Sequence, residues 1–244
     1  MHGKLVASAC GVKDDSDDAA HRWLTEPGGV RRFGLTSAFL AELSHDLRTP
    51  LNGVLGFALL LHEGRLGPLS AEQQECLGDV LTSARQLLQI INEISDLGRV
   101  ESGTLEFRPE RVDVASLLET LRDDVATLSA PKQVEVTGAI DPALGEIVAD
   151  PARLRQALAS YLGNAVKATP EGGRVAIRVT AEDAARFRIE VEDGGSRARD
   201  LEDGDVGLTL GRRLVEAQGG RLGVRSASGR GSVVFVILPR APGP

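Results

Sequence analysis

The chain has 244 residues with a net charge of −7, 42% hydrophobic and 26% charged residues, a composition typical of globular proteins with one large or two small domains. The acidic balance argues against nucleic acid as the main partner, and Cys10 and Cys76 are too few for a disulfide framework or a zinc site. No apolar run approaches the roughly 20 residues of a membrane span and the start does not resemble a signal peptide, so we expect a cytoplasmic protein without membrane insertion.

The first predicted element is a long amphipathic helix that follows a poorly structured tail. Residues 1–35 carry an acidic cluster and a glycine pair, which is typical of a solvated tail. Residues 36–63 follow helical periodicity, and Pro50 is expected to kink this helix. Its apolar stripe consists of Phe39, Leu40, Leu43, Leu47, Leu51, Val54, Leu55 and Ala58.

A second long helix is predicted over residues 71–102. Residues 64–70 form a turn in which Ser70 is a plausible N-cap, with Gln73 at the capping-box position. The apolar seam of this helix consists of Leu77, Val80, Leu81, Ala84, Leu87, Leu88, Ile91 and Ile94. Because a lone antiparallel hairpin cannot bury both stripes, residues 36–103 are predicted to pair with a second copy as a four-helix bundle, that is, a homodimer.

Residues 103–112 are predicted to form a linker with a short strand. After them the sequence pattern changes from long amphipathic helices to a mixture of helices and strands. Helices are expected at 112–130, 150–169 and 206–220, the second of them starting at Asp150 and Pro151, a good N-cap followed by proline. Strands are expected at 133–140, 174–183, 185–193, 221–228 and 231–239. This order predicts an α/β sandwich over residues 112–240, with one sheet covered by helices.

The stretch LSHDLRTPLNGVLGF, residues 43–57, contains the strongest candidate for chemistry. His45 precedes Asp46, and Thr49 follows the acid by three residues. The neighbours of His45 at four residues' distance, Ala41 and Thr49, are small, so His45 is expected on a solvent-facing side of the helix. An adjacent carboxylate can orient the imidazole and accept its proton, which makes a nitrogen nucleophile. On the residues alone, an ordinary exposed histidine remains the alternative.

The stretch SHDLRTPLNGVLGF resembles the H box of two-component sensor histidine kinases. Similar stretches follow in family order: LRQALASYLGNAVKATPEGG resembles the N box, VEDGG the first glycine box, VGLTLGRRLVEAQGG the second, and GRGSVVFVILP the closing strand motif. The similarity runs from about residue 37 to residue 239, and several motifs in series are more specific than any one. The resemblance implies a dimerisation and histidine-phosphotransfer hairpin followed by a Bergerat-type ATP-binding domain.

In such proteins ATP phosphorylates the histidine, and an aspartate on a response regulator then takes the phosphoryl group. By matched position, His45 would be the phospho-acceptor and Asp46 the general base that activates it. Thr49 fills the position at which a hydroxyl orients water for dephosphorylation of the partner. The resemblance thus assigns the phosphotransfer chemistry to the first predicted helix.

The resemblance also implies ATP and Mg²⁺ as cofactors of the second domain. Asn164 would hold the magnesium ion, Lys167 would neutralise phosphate charge, and Asp193 would accept the adenine amino group. Gly195 and Gly207 would let the backbone approach the nucleotide. Taken singly, Asn164 could be a core amide and the segment after Asp193 an ordinary turn.

Four departures from the family pattern fall in the nucleotide site. Ser160 stands where the family has Asn or an acid, Arg197 where a glycine is expected, and Thr209 at another glycine position, where its β-branched side chain would crowd the phosphates. Residues 196–206 are shorter than the family's lid and contain no aromatic residue. Since a lid excludes water from the triphosphate, a short lid is expected to hold ATP less well.

Two functions therefore remain open from the sequence. The first is an active histidine kinase with a minimal lid, which Asn164, Lys167 and Asp193 favour. The second is an ATP-independent phosphotransfer or phosphatase module that uses His45 or Thr49, with the second domain as a scaffold. A pure dimerisation adaptor ranks last because it leaves the phosphotransfer motif without a use.

Overall fold

The computed structural model describes residues 37–195, 206–226 and 231–240. It begins with two helices that pack against each other, α1 (Ser37–His62) and α2 (Ala71–Glu101). The predicted tail lies outside the described residues. None of the described helices combines the length and the apolar character that a membrane crossing needs.

The start of α2 shows the capping box that the sequence predicts. The Ser70 hydroxyl accepts a hydrogen bond from the Gln73 backbone N–H at 3.2 Å, and the Gln73 side-chain oxygen accepts one from the Ser70 backbone N–H at 2.9 Å. Two N–H groups that the helix itself cannot satisfy are thereby paired. The cap fixes the residue at which α2 begins, and hence which residues of α2 pack against α1.

The hairpin buries only part of its apolar stripes. Its buried apolar residues are Leu40, Ala58, Leu81, Ala84, Ile91 and Leu97. The exposed large apolar residues of its two helices are Leu43, Leu47, Val54, Phe57, Leu59, Leu60, Val80 and Leu87, with Phe57 69% exposed. The single chain thus carries unburied apolar surface along both helices.

The second domain is an α/β sandwich, which confirms the fold class predicted from the sequence. Its elements are β1 (Glu110–Arg111), α3 (Val114–Ser129), β2 (Glu135–Ile140), β3 (Val148–Ala149), α4 (Pro151–Ala168), β4 (Arg174–Ala181), β5 (Arg186–Asp193), α5 (Val206–Ala217), β6 (Arg221–Ser226) and β7 (Ser232–Pro239). As predicted, the Asp150 carboxylate caps α4, accepting from the Arg153 N–H at 3.0 Å. The short strand expected in the linker is β1, and its pairing with β3 was not predicted.

Among the described residues, the main sheet has the strand order β2-β4-β5-β7-β6, with β2 and β4 parallel and the other pairs antiparallel. Alternate residues of the central strands are buried beneath α3, α4 and α5, for example Ile177 and Ile189. The opposite face carries ion pairs such as Arg188 with Glu182. This period of two places the core on one side of the sheet only.

Hydrogen bonds and apolar contacts join the hairpin to the second domain. The Asp96 carboxylate on α2 accepts from Arg153 Nη1 at 3.0 Å and from Gln156 Nε2 at 2.8 Å, both on α4. Leu97 and Leu105 belong to the core cluster of the second domain, and α2 also packs against α5. The end of the hairpin is therefore part of the core of the second domain.

Replacing Asp96 with alanine is expected to lower the free energy of unfolding by about 1–3 kcal/mol, because it leaves two partly buried donors without their acceptor. Urea unfolding followed by circular dichroism measures the change. Asp79, exposed on the same helix, is the matched control, and its replacement with alanine should leave the midpoint unchanged. Equal midpoints for the two variants would contradict a stabilising role for the junction.

The contact between α4 and α5 is built around Tyr161 and Gly211. The Tyr161 side chain is 1% exposed, and its hydroxyl has no hydrogen-bond partner in the described structure. A Cβ atom on Gly211 would lie 2.7 Å from that hydroxyl oxygen, so only glycine lets the two helices approach this closely. Burial raises the pKa of the Tyr161 phenol far above its ordinary value.

Replacing Tyr161 with phenylalanine is expected to stabilise the protein by about 1 kcal/mol, because a buried hydroxyl without a partner costs free energy. Gly211→Ala should destabilise it, and the double variant should recover part of that loss. Urea unfolding of the three variants tests both statements. A Tyr161→Phe variant that is less stable than the wild type would show that the hydroxyl has a favourable partner.

Candidate functional site

The candidate nucleophile lies on the exposed face of α1. The side chain of His45 is 77% exposed and that of Asp46 is 72% exposed. His45 Nδ1 lies 3.4 Å from Asp46 Oδ1, a long hydrogen bond. If Nδ1 carries the proton of this bond, Nε2 has its lone pair free. The arrangement is therefore suited to nucleophilic attack by Nε2.

Thr49 lies one helical turn after the histidine and is exposed. Its hydroxyl donates to the His45 backbone carbonyl at 3.4 Å. The helix continues through Pro50, whose missing N–H leaves the Asp46 carbonyl without its usual helical donor. The kink expected at Pro50 stays a prediction.

Ser44 holds this part of α1 against α2. It is 4% exposed, and its hydroxyl lies 2.6 Å from the Leu40 carbonyl oxygen and 3.4 Å from the Ile91 carbonyl oxygen on α2. Ser44 was not among the site residues predicted from the sequence. A polar residue directly beside the histidine, at helical spacing from Leu40, was the only signal available. The contact fixes the position of this turn of α1, and hence of His45, along the axis of α2.

On the second domain, candidate residues come from the end of α4 and the end of β5. Asn164 and Lys167 are three residues apart on α4 and so share a face; Asn164 is half-buried and Lys167 exposed. Asp193 ends β5 and is 5% exposed. Its Oδ1 accepts from the backbone N–H groups of Gly195 at 2.8 Å and Ser232 at 3.3 Å. Among the described residues, both of these bonds use the same carboxylate oxygen, Oδ1.

Glycines bring these segments together. A Cβ atom on Gly195 would lie 3.5 Å from Ala168 Cβ at the end of α4, so the turn after Asp193 contacts the helix next to Lys167. Gly231 has a φ of +80°, and its backbone packs against the Asp193 carbonyl so closely that a Cβ atom would overlap the carbonyl oxygen. The ends of α4 and β5 and the start of β7 therefore form one cluster.

Gly207 is buried in the first turn of α5. One turn further along, Gly211 contacts Tyr161, which itself precedes Asn164 by one turn on α4. The helix packing thus attaches the start of α5 to the side of α4 that carries the candidate residues. Thr209 is half-buried in the first turns of α5, and Ser160 is half-buried on α4. Arg197 and the short lid, apart from Val206, lie outside the described residues.

Lys132 supports the end of α4, a role that was not predicted from the sequence. Its ammonium donates to the backbone carbonyls of Val166 at 3.0 Å, Lys167 at 2.9 Å and Thr169 at 2.6 Å. A cation at this position satisfies carbonyls that the helix leaves unpaired and complements its dipole. No spacing rule links Lys132 to the end of α4, because the contact spans more than thirty residues of sequence.

The donor set fits a magnesium ion that arrives with a nucleotide. In the described part of the chain, no group of three His, Cys, Asp or Glu residues could hold a metal by itself. Magnesium in nucleotide sites keeps waters and phosphate oxygens and needs only one or two protein oxygens. The Asn164 amide, half-buried one turn before the end of α4, is a suitable single ligand.

Two family models match the chain in succession. The His Kinase A (phospho-acceptor) domain matches residues 36–103, and the Histidine kinase-, DNA gyrase B-, and HSP90-like ATPase matches residues 149–242. A phospho-acceptor hairpin followed by this ATPase fold defines the core of a sensor histidine kinase. The chain belongs to the two-component sensor histidine kinase family, as the resemblance of its motifs predicted.

Several named relatives share this core. The sensor histidine kinase GacS of Pseudomonas protegens is 34% identical over 84% of this chain and 24% of its own length. The sensory/regulatory protein RpfC of Xanthomonas campestris is 36% identical over 85% of this chain and 32% of its own. The crystal structure of full-length ShkA in complex with AMPPNP superposes with a TM-score of 0.73 at 33% identity, covering 86% of this chain and 47% of that one. The chain thus spans a quarter to a half of the length of these relatives.

Proposed function

We propose that the chain is a histidine kinase that autophosphorylates His45 from ATP and passes the phosphoryl group to an aspartate of a response-regulator receiver domain. The observation that carries this proposal is the exposed His45–Asp46 pair on a hairpin that leads into an ATPase fold. The AMPPNP complex of ShkA supports ATP as the donor. Such a reaction belongs in the cytoplasm, where ATP and receiver domains are found.

The His45–Asp46 geometry accounts for the first transfer. With Nδ1–H donating to Asp46, Nε2 attacks the γ-phosphorus of ATP. The bond between that phosphorus and the β,γ-bridging oxygen breaks, and ADP leaves with the electron pair. The Nδ1 proton passes to Asp46, which acts as the general base and leaves a neutral phosphorylated imidazole.

The second transfer reverses the proton movement. The receiver carboxylate attacks the phosphorus, the N–P bond breaks, and the proton on Asp46 returns to Nδ1 of His45. Thr49, exposed one turn from His45, would orient a water that hydrolyses the resulting acyl phosphate. Because both groups lie on the same exposed side, one docked receiver could be phosphorylated and dephosphorylated at this surface.

The nucleotide would occupy the cluster formed by α4, β5 and β7. Asp193 Oδ2 would accept from the adenine amino group while Oδ1 keeps its two backbone bonds. Lys167 would pair with phosphate oxygens, and the buried Gly195 and Gly207 would admit the nucleotide close to the backbone. Asn164 would hold Mg²⁺, which would neutralise part of the triphosphate charge.

The exposed apolar residues of the hairpin support a homodimer through residues 36–103. Phe57, Leu47 and Leu87 are among the large side chains that one chain leaves in water. Two hairpins packed as a four-helix bundle would bury these stripes. Analytical ultracentrifugation should therefore show a dimer.

Labelling with ATP that carries radioactive γ-phosphate, in the presence of Mg²⁺, tests the proposed function. The wild type should acquire an acid-labile label, His45→Ala none, and Asn164→Ala very little. His45→Ala should still bind a fluorescent ATP analogue, because the substitution lies on the hairpin. No label together with no nucleotide binding would contradict the kinase proposal and leave the ATP-independent phosphotransfer or phosphatase module.

A further inference from the structure

Tyr161 places a polar group in the contact between the two helices that carry nucleotide-site candidates. Its hydroxyl is buried without a hydrogen-bond partner among the described residues. Asn164 and Lys167 lie on the same helix, α4, and Gly207 lies in the first turn of α5. A phenylalanine would fill the space without the cost of an unpaired hydroxyl. Because buried polar groups in folded proteins are nearly always paired, this hydroxyl calls for an explanation beyond packing.

Helices α4 and α5 run antiparallel. At the start of α4, the Asp150 backbone N–H donates to Gln218 Oε1 at 3.2 Å, just after the end of α5. Gln218 Nε2 in turn donates to the Leu214 carbonyl of α5 at 3.1 Å. Tyr161 meets Gly211 further along α4, so the start of α5 lies toward the end of α4. Hydrogen bonds thus anchor the end of α5, and the contact between Tyr161 and Gly211 sets how closely its start approaches α4.

The backbone of α5 offers an acceptor close to the Tyr161 hydroxyl. A hydroxyl on a side chain at residue 211 would lie one bond beyond Cβ, where it can donate to the carbonyl four residues earlier, that of Gly207. The Tyr161 hydroxyl oxygen lies 2.7 Å from the position of that Cβ, so it occupies the same region at a slightly greater distance. A carbonyl oxygen has two lone pairs and can accept this bond in addition to its helical one. A small movement of α5 toward α4 would therefore pair the hydroxyl.

A nucleotide would favour this closer arrangement, because the proposed site takes groups from both helices. Asn164 and Lys167 belong to α4, and Gly207 belongs to α5. A ligand that contacts both helices shifts them to the extent that it binds the closer arrangement more tightly. Gly211 permits the approach, since a Cβ atom there would meet the Tyr161 hydroxyl first.

We propose that Tyr161 is a positioning residue for nucleotide binding: its hydroxyl donates to the Gly207 carbonyl when nucleotide is bound and thereby holds the start of α5 against α4. The inference deepens the proposed function and rests on nucleotide binding at the cluster of α4, β5 and β7. The hydroxyl then lowers the stability of the free protein and raises the affinity of the site, because its bond forms only in the closer arrangement. The competing interpretation is a hydroxyl that only costs stability.

Tyr161→Phe in the full chain separates these interpretations, because they predict different changes in affinity. The variant should bind a fluorescent ATP analogue about fivefold more weakly, the factor that one net hydrogen bond supplies, while its urea midpoint without nucleotide rises. Saturating Mg²⁺–ADP should raise the urea midpoint less in Tyr161→Phe than in the wild type. Leu158→Met, which changes an equally buried side chain one turn earlier on α4, is the matched control and should leave the affinity unchanged.

A spectroscopic measurement reports on the hydroxyl directly. Tyr161 is the only tyrosine of the chain, so the paired tyrosine ring bands of the ultraviolet Raman spectrum come from one phenol, and their intensity ratio changes when that phenol becomes a hydrogen-bond donor. Mg²⁺–ADP should change the ratio in the wild type, with Tyr161→Phe and the same nucleotide as the blank. A wild type that is labelled by ATP but shows an unchanged ratio, and the same affinity as Tyr161→Phe, would overturn this inference and leave the proposed function standing. A wild type that binds no nucleotide would overturn both.

Discussion

Replacing Gly231 with alanine is expected to destabilise the second domain by about 2–5 kcal/mol and to abolish measurable nucleotide binding. The added Cβ would lie 1.8 Å from the Asp193 carbonyl oxygen and 2.9 Å from its carbonyl carbon. These are backbone atoms, so no side-chain rotation can relieve the overlap. The φ of +80° adds the cost of left-handed backbone for a residue with a Cβ.

The effect on binding follows from what Gly231 adjoins. Ser232, the next residue, donates its N–H to Asp193 Oδ1. If β7 moves away from Asp193, this bond is lost and the carboxylate turns from its position in the cluster. Titration with a fluorescent ATP analogue measures the loss of affinity, and urea unfolding measures stability.

Gly172 provides the matched control for this prediction. Its φ is +70°, but a Cβ atom would meet nothing within 4 Å. Gly172→Ala therefore carries the backbone cost alone, about 1–2 kcal/mol, and should bind the analogue normally. If the two alanine variants lose the same stability and the same affinity, the close approach of Gly231 to Asp193 has no role in the site.

The parts of the fold that the sequence predicted are those with local signals. The capping box at Ser70 and the cap at Asp150 involve residues three apart, and both are present. The helices and the main strands also follow periods of 3.6 and 2 that one segment displays by itself. Their ends differ from the predictions by a few residues; the strand expected at 133–140 begins at Glu135.

The parts that the sequence did not predict depend on contacts between distant segments. β1 and β3 have two residues each, too few to show alternation, and their pairing joins Glu110 to Ala149. The tie between Asp96 and Arg153 and the contact between Arg48 and Asn92 also cross between helices. The roles of the nucleotide-site residues came from resemblance to a family, because an amide or a glycine shows its use only in its surroundings.

Replacing Lys132 with methionine is expected to lower the free energy of unfolding by about 3 kcal/mol and to weaken nucleotide binding as a consequence. The variant keeps an unbranched side chain of nearly the same length but removes three charge-assisted hydrogen bonds to the end of α4. The last turn of α4 carries Lys167 and borders the turn after Asp193. Fraying of that helical turn would displace both Lys167, the proposed phosphate partner, and the backbone turn after Asp193.

Lys167→Met is the control that separates support from direct binding. Lys167 is exposed, so its replacement should leave the free energy of unfolding within about 0.5 kcal/mol of the wild type. It should weaken binding of the ATP analogue, because a phosphate partner is lost. Lys132→Met should show the reverse order, a large loss of stability and a smaller loss of affinity. Lys132→Arg, which retains a cation with several donors, should recover most of the stability. A Lys132→Met variant with a wild-type midpoint would show that the helix end is held by other contacts.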